Sequence, residues 1–148
     1  MSNFQYTGLA LTESFEGRRL SAYQDSNGIW TIGDGHTANV KQGDTCTPEQ
    51  ADAWLLEDIQ WAANVVNTVV TYPINQNEFN ALVDFVFNCG SGHFQHSSLF
   101  RDLNAGNIAQ CAADMEKWDY AGGQVCAGLL RRRVAEAAEF NSIQGASA

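Results

Sequence analysis

Between Thr47-Pro48 and Tyr72-Pro73 runs a stripe of apolar side chains, Ala51, Trp54, Leu55, Ile59, Ala62, Val65, Val66 and Val69, at steps of three and four residues or less. That period places them on one face of a helix. Thr47 as cap, Pro48 in the first turn and Gln50 completing a capping box mark its start, and Tyr72-Pro73 stops it. A helix of about six turns is roughly twice the length usual in globular proteins and can act as a spine joining two lobes. Asp58 alone breaks the stripe with a charge. A carboxylate pointing into an apolar face needs a partner.

On the N-terminal side, Phe4, Leu9, Leu11 and Phe15 suit a short amphipathic helix that ends near Gly17. From Ala22 to His36 the pattern changes to strand formers, Tyr23, Ile29, Trp30, Thr31 and Ile32, around Asn27-Gly28, a strong hairpin signal. Thr31 alternates with Trp30 and Ile32, so those two should pack away from the face that Thr31 presents. Beyond the spine, Phe79, Leu82, Val83 and Val86 begin a series of helical faces that runs to Ala138, and the C-terminal half reads as all-helical. Gly145-Ala146-Ser147-Ala148 reads as a loose tail. The fold class predicted is α+β and predominantly helical, a single domain over 1–148. Within it, 17–46 form a small β lobe, 47–72 the connecting helix and 73–144 a helical lobe.

Charge narrows the partners. Eight basic against seventeen acidic side chains give −9, which argues against nucleic acid or an anionic membrane surface. The basic residues are clustered, with Arg18 and Arg19 just after Glu16 and Arg131, Arg132 and Arg133 near the C-terminus. No apolar run reaches the roughly 18 residues needed to span a bilayer, and the start Met1-Ser2-Asn3-Phe4-Gln5 lacks a signal-peptide pattern. The chain is therefore expected to be made without an anchor, and another agent must release it to any substrate outside the cytoplasm. Cys46, Cys89, Cys111 and Cys126 show no metal or redox spacing and read as buried thiols, a disulfide remaining open. His93 and His96 find no third ligand in a recognisable pattern, so no metal is expected.

Among the acidic residues, Glu16 and Asp25 suit glycosidic hydrolysis, which needs a proton donor and a second carboxylate across the scissile bond. Glu16, at a helix end between Phe15 and Gly17, sits where partial burial favours the protonated form, while Asp25 opens a turn. Two acidic residues nine positions apart would by themselves be ordinary surface carboxylates. The continuous string Glu16-Gly17-Arg18-Arg19-Leu20, Tyr23-Gln24-Asp25, Gly28-Ile29-Trp30-Thr31-Ile32-Gly33-Asp34-Gly35-His36-Thr37 changes that weighing. It closely resembles the signature of the phage-type lysozymes, glycoside hydrolase family 24. The similarity continues more weakly through Phe87-Asn88-Cys89-Gly90 and Gly128-Leu129-Leu130-Arg131-Arg132-Arg133.

The resemblance implies a lysozyme-like, bilobed fold and an endolysin. Such an enzyme is a muramidase that cuts the β-1,4 bond between N-acetylmuramic acid and N-acetylglucosamine in peptidoglycan, without a cofactor. It implies Glu16 as catalytic acid, Asp25 as the carboxylate that assists water attack or stabilises the cationic centre, and Thr31 as the hydroxyl that orients the water. It also places a helix aspartate, here Asp58, against the motif histidine, His36. An arginine, Arg133 before Arg132, would fix the acid, although a solvated helix face explains the arginine run equally well. Asn88 and Ser98 match sugar-lining positions, against a plain reading as cap or loop residues. Relatives commonly carry an aromatic or apolar residue where this chain has Asp34; facing the cleft it would act on Glu16 or substrate, and facing water it would do nothing. A monomer is expected, made in the host cytoplasm and acting on the periplasmic or external wall, with release by a holin inferred from the lack of a signal or anchor pattern. The competing readings are a catalytically silent peptidoglycan-binding module, disfavoured by the retained Glu16, Asp25 and Thr31, and a chitinase- or chitosanase-like glycosidase.

Overall fold

The computed structural model describes residues 4–118, 120–121, 124–125 and 127–142. The apolar stripe forms one continuous helix, α2 (Pro48–Val69), of 22 residues. Thr47 Oγ1 accepts the backbone N–H of Gln50 at 3.1 Å, which satisfies one of the helix's free donors. Chain contacts separate two compact units, Leu9–Gln60 and Met1–Gly8 with Trp61–Ala148, and the boundary falls inside α2.

The first unit opens with α1 (Leu9–Glu16), which stops where Gly17 turns to φ +67°, a conformation that favours glycine. Then β1 (Arg19–Gln24) and β2 (Trp30–Gly33) pair antiparallel around the Asn27-Gly28 turn, with Tyr23 opposite Thr31 and an irregularity between Arg19 and Tyr23. Burial does not alternate along β2 as a half-exposed strand would show. Thr31, Ile32 and Gly33 are all buried and only Trp30 is partly open. Gly33 explains part of this, since a Cβ there would already touch the Ala51 Cβ of α2 at 3.4 Å.

The second unit is built on α3 (Gln76–Cys89), in which every residue from Phe79 to Val86 is buried, so the helix has no solvent face along that stretch. Around it lie α4 (Ser91–Gln95), α5 (Ser98–Asn104), α6 (Ile108–Glu116) and α7 (Ala127–Phe140). Edge-to-face ring pairs, Phe85 with Phe94 at 6.2 Å, Phe85 with Trp118 at 5.8 Å and Phe94 with Phe100 at 5.2 Å, fill its centre. A full capping box starts α3, since Asn75 Oδ1 accepts from Glu78 N and Glu78 Oε1 accepts from Asn75 N, both at 2.8 Å. Asn75→Ala is expected to lower stability by about 1 kcal/mol, read as a lower urea midpoint at unchanged slope.

Two expectations need correction. Phe4 does not belong to the first helix. Its backbone N–H and C=O are held by the Asn67 side-chain amide at 3.1 and 3.0 Å and its ring packs on Phe79 at 5.3 Å, so it ties the N-terminus to the second unit instead. Nor is the C-terminal half all-helical, because β3 (Tyr120–Ala121) and β4 (Gln124–Val125) form a second short antiparallel pair. The intervening Gly122-Gly123 is a hairpin signal that helical periodicity on either side obscured. The tail 145–148 and Cys126 lie outside the described residues.

Candidate active site

Five of the candidate residues fall in the first unit. Glu16 is the last residue of α1 and half-buried. Its Oε2 would lie 3.9 Å from a Cβ added at Gly35, which seats the carboxyl against the exit of the hairpin. Asp25 closes the hairpin turn with one oxygen, since Oδ1 accepts from Asn27 N at 2.8 Å and from Ile29 N at 2.9 Å. Those two bonds hold the carboxylate through Oδ1, and Oδ2 accepts no hydrogen bond among the described residues. Thr31 is 4 % exposed, and its hydroxyl donates to Ile29 O at 2.9 Å. A hydroxyl so engaged keeps its acceptor lone pairs for a donor such as water.

His36 Nδ1 stands 2.9 Å from Asp58 Oδ2, and the imidazole stacks on the Trp54 indole at 4.5 Å with 3° between the planes. Asp58 and Trp54 both project from α2, so the long helix clamps the hairpin exit with one charge and one ring. Below this clamp a cavity of about 310 Å³ is lined by Ile32, His36, Asn39, Asp44, Trp54 and Glu57, among others.

Asp34 follows neither course considered for it from sequence. Its side chain is 1 % exposed and is gripped by Arg18, Nε at 3.0 Å and Nη2 at 2.6 Å from Oδ2. The sequence offered Arg18 only as a neighbour of Glu16, and nothing local pairs it with a residue sixteen positions on.

The remaining candidates fall in the second unit. Asn88 and Arg133 line one cavity of about 540 Å³, together with Cys89, His93, Lys117, Trp118 and Leu129. Ser98 is not in that lining. It starts α5, and the capping there is done by Ser97, whose Oγ accepts from Phe100 N at 3.1 Å. Arg133 is fully buried, donates through Nη2 to Glu136 Oε2 at 2.8 Å and through Nη1 to Cys89 Sγ, and lies over the Phe85 ring at 5.0 Å. Beside it, Arg132 meets Asp84 with two hydrogen bonds of 3.0 and 2.9 Å. Burial, then the neighbouring Asp84, pushes the Glu136 carboxyl well above the usual range, against the pull of Arg133 and Arg132.

Cys46, Cys89 and Cys111 are free thiols. Burial first, then Asp114, Asp102 and Glu78, push Cys111 up to about 12, which leaves it an inert core residue at neutral pH. Among the described residues no group of three or more His, Cys, Asp or Glu could hold a metal ion. No helix there is long and apolar enough to cross a membrane.

A glutamate ending a short helix, a small hairpin with its aspartate in the turn, one long helix and a helical remainder define a lysozyme-like protein. Solved structures agree. The muramidase domain of SpmX from Asticaccaulis excentricus is similar with a TM-score of 0.87 and 38% identity, over 97% of this chain and 100% of that one. A crystal structure of a P22 lysozyme mutant is similar at 0.88 and 37%, over 96% and 100%. The endolysin of Acyrthosiphon pisum secondary endosymbiont phage 1 is 42% identical over 139 residues, 91% of this chain and 95% of that one. The model of the family described as phage lysozyme matches residues 13–136. The chain belongs to the phage lysozyme family and is by that membership a glycoside hydrolase.

Proposed function

We propose that this chain is an endolysin that hydrolyses the β-1,4 bond from N-acetylmuramic acid to N-acetylglucosamine in peptidoglycan, the reaction of a lysozyme in the strict sense. Glu16 protonates the leaving oxygen. Asp25 serves the far side of the sugar through the oxygen that the turn leaves open, and Thr31 accepts a hydrogen bond from the attacking water. The observation that carries this reading is the division of labour in Asp25, whose Oδ1 is spent on the hairpin while its partner oxygen is not. A carboxylate held rigidly by backbone donors needs no reorganisation when positive charge develops on the sugar.

The supporting roles follow from the family. His36 and Asp58 brace the hairpin, and Asn88 and Ser98 meet saccharide hydroxyl or acetamido groups. The chain acts as a single catalytic domain and a monomer, made in the host cytoplasm and brought to the wall by a holin. Mass spectrometry of the fragments released from purified peptidoglycan tests the reading. New reducing ends on N-acetylmuramic acid are expected. Reducing ends on N-acetylglucosamine, or cleavage of chitin oligomers alone, would move the chain to another glycosidase class; binding with no new ends would make it a silent glycan binder.

A further inference from the structure

Two glycines flank the acid Glu16, one in its own segment and one facing its carboxyl. Its own segment leaves α1 through Gly17 at φ +67°, and its carboxyl rests against Gly35 at φ +91°. Glycine leaves a backbone soft, so the two segments that carry and face the carboxyl need other contacts to hold their course. Adjacent in sequence to each glycine sits a member of a single ion pair, Arg18 after Gly17 and Asp34 before Gly35. The guanidinium grips both oxygens of Asp34, Nε at 3.2 Å from Oδ1 and 3.0 Å from Oδ2, Nη2 at 2.6 Å from Oδ2. The same Nη2 reaches Asp52 Oδ1 at 2.6 Å and Glu13 Oε2 at 3.1 Å, while Nη1 meets Pro48 O at 3.4 Å. One cation therefore ties α1, the hairpin exit and the first turns of α2.

The three carboxylates are not equal. Asp52 and Glu13 are 46 % and 38 % exposed and water screens them, whereas Asp34 is 1 % exposed and has no solvent to replace its partner. Asp34 is also the first cause of the raised basicity of Arg18. We propose that Asp34, clasped by Arg18, is a positioning residue for Glu16, holding the carboxyl where it meets the leaving oxygen. This rests on the reading of Glu16 as the acid. Misplacing a reacting group by about 1 Å costs on the order of 10²-fold in rate, so a loosened clasp acts on turnover rather than on binding.

The test uses Asp34→Asn and the double variant Arg18→Met/Asp34→Leu, which removes both charges and refills the space. In Asp34→Asn we expect kcat on peptidoglycan to fall about 10²-fold with KM nearly unchanged. The amide order parameters of Gly17 and Gly35 should drop from roughly 0.85 to below about 0.6. In the double variant the melting temperature should return toward that of the parent while kcat stays low, which also keeps the proposal testable if Asp34→Asn folds poorly. Unchanged turnover and unchanged order parameters in Asp34→Asn, or recovery of kcat together with melting temperature in the double variant, would overturn it. If the parent protein cleaves no peptidoglycan, the proposed function fails instead, and the order parameters alone decide the clasp.

Discussion

Glu16→Gln lowers kcat on purified peptidoglycan by about 10²- to 10⁴-fold, the contribution typical of a positioned general acid. Glutamine keeps the size of the side chain and can still donate a hydrogen bond to the glycosidic oxygen, yet it has no proton to give up. Because Glu16 is half-buried at a helix end, the substitution should leave the melting temperature close to that of the parent. Release of reducing ends, followed at substrate concentrations spanning KM, separates the two effects. A variant that clears peptidoglycan within tenfold of the parent rate would remove Glu16 from the chemistry.

Arg132→Met has the largest expected effect on stability. Arg132 is 5 % exposed and Asp84 fully buried, joined by two hydrogen bonds between α7 and α3. Taking away the cation removes the counter-charge and the two hydrogen bonds that Asp84 receives from Arg132 in the core, at a cost of about 3–5 kcal/mol. For a chain of this size that is roughly a 10 °C fall in melting temperature or more. The double variant Arg132→Met/Asp84→Met removes both charges, leaves Arg133 balanced by Glu136 at 2.8 Å, and should recover most of the loss. Calorimetry on the two variants checks both statements, and a double variant no more stable than the single one would mean that the pair is not what holds α7 to α3.

What could be read before the structure was what the chain encodes locally. The 3.6-residue period of α2, its Thr47-Pro48 start and the Asn27-Gly28 turn each act within a few residues, so composition and spacing suffice for them. His36 with Asp58 was legible from two clues together, a charge interrupting an apolar face and a family resemblance. Asp84 offered the first clue as plainly, an acidic residue between Val83 and Phe85 on a buried helix, and was missed for want of the second. Arg18 with Asp34 gave neither, because a pair formed across a turn of the fold leaves no periodic trace. The pairing β3 with β4 was missed for a different reason, being only two residues long on each side and set among helical patterns.

Asp25 ties two selective pressures to one side chain. Its Oδ1 fastens the hairpin that also presents Thr31, and under the proposed mechanism the other oxygen serves the sugar. Alanine at this position would therefore damage the scaffold and the chemistry at once, and an inactive Asp25→Ala enzyme would say little about either. Asparagine retains an acceptor for the Asn27 and Ile29 N–H groups while discarding the charge. For the same reason the turn has little freedom to drift over evolutionary time, since a sequence that closes the loop by other means would release the carboxylate from its fixed orientation.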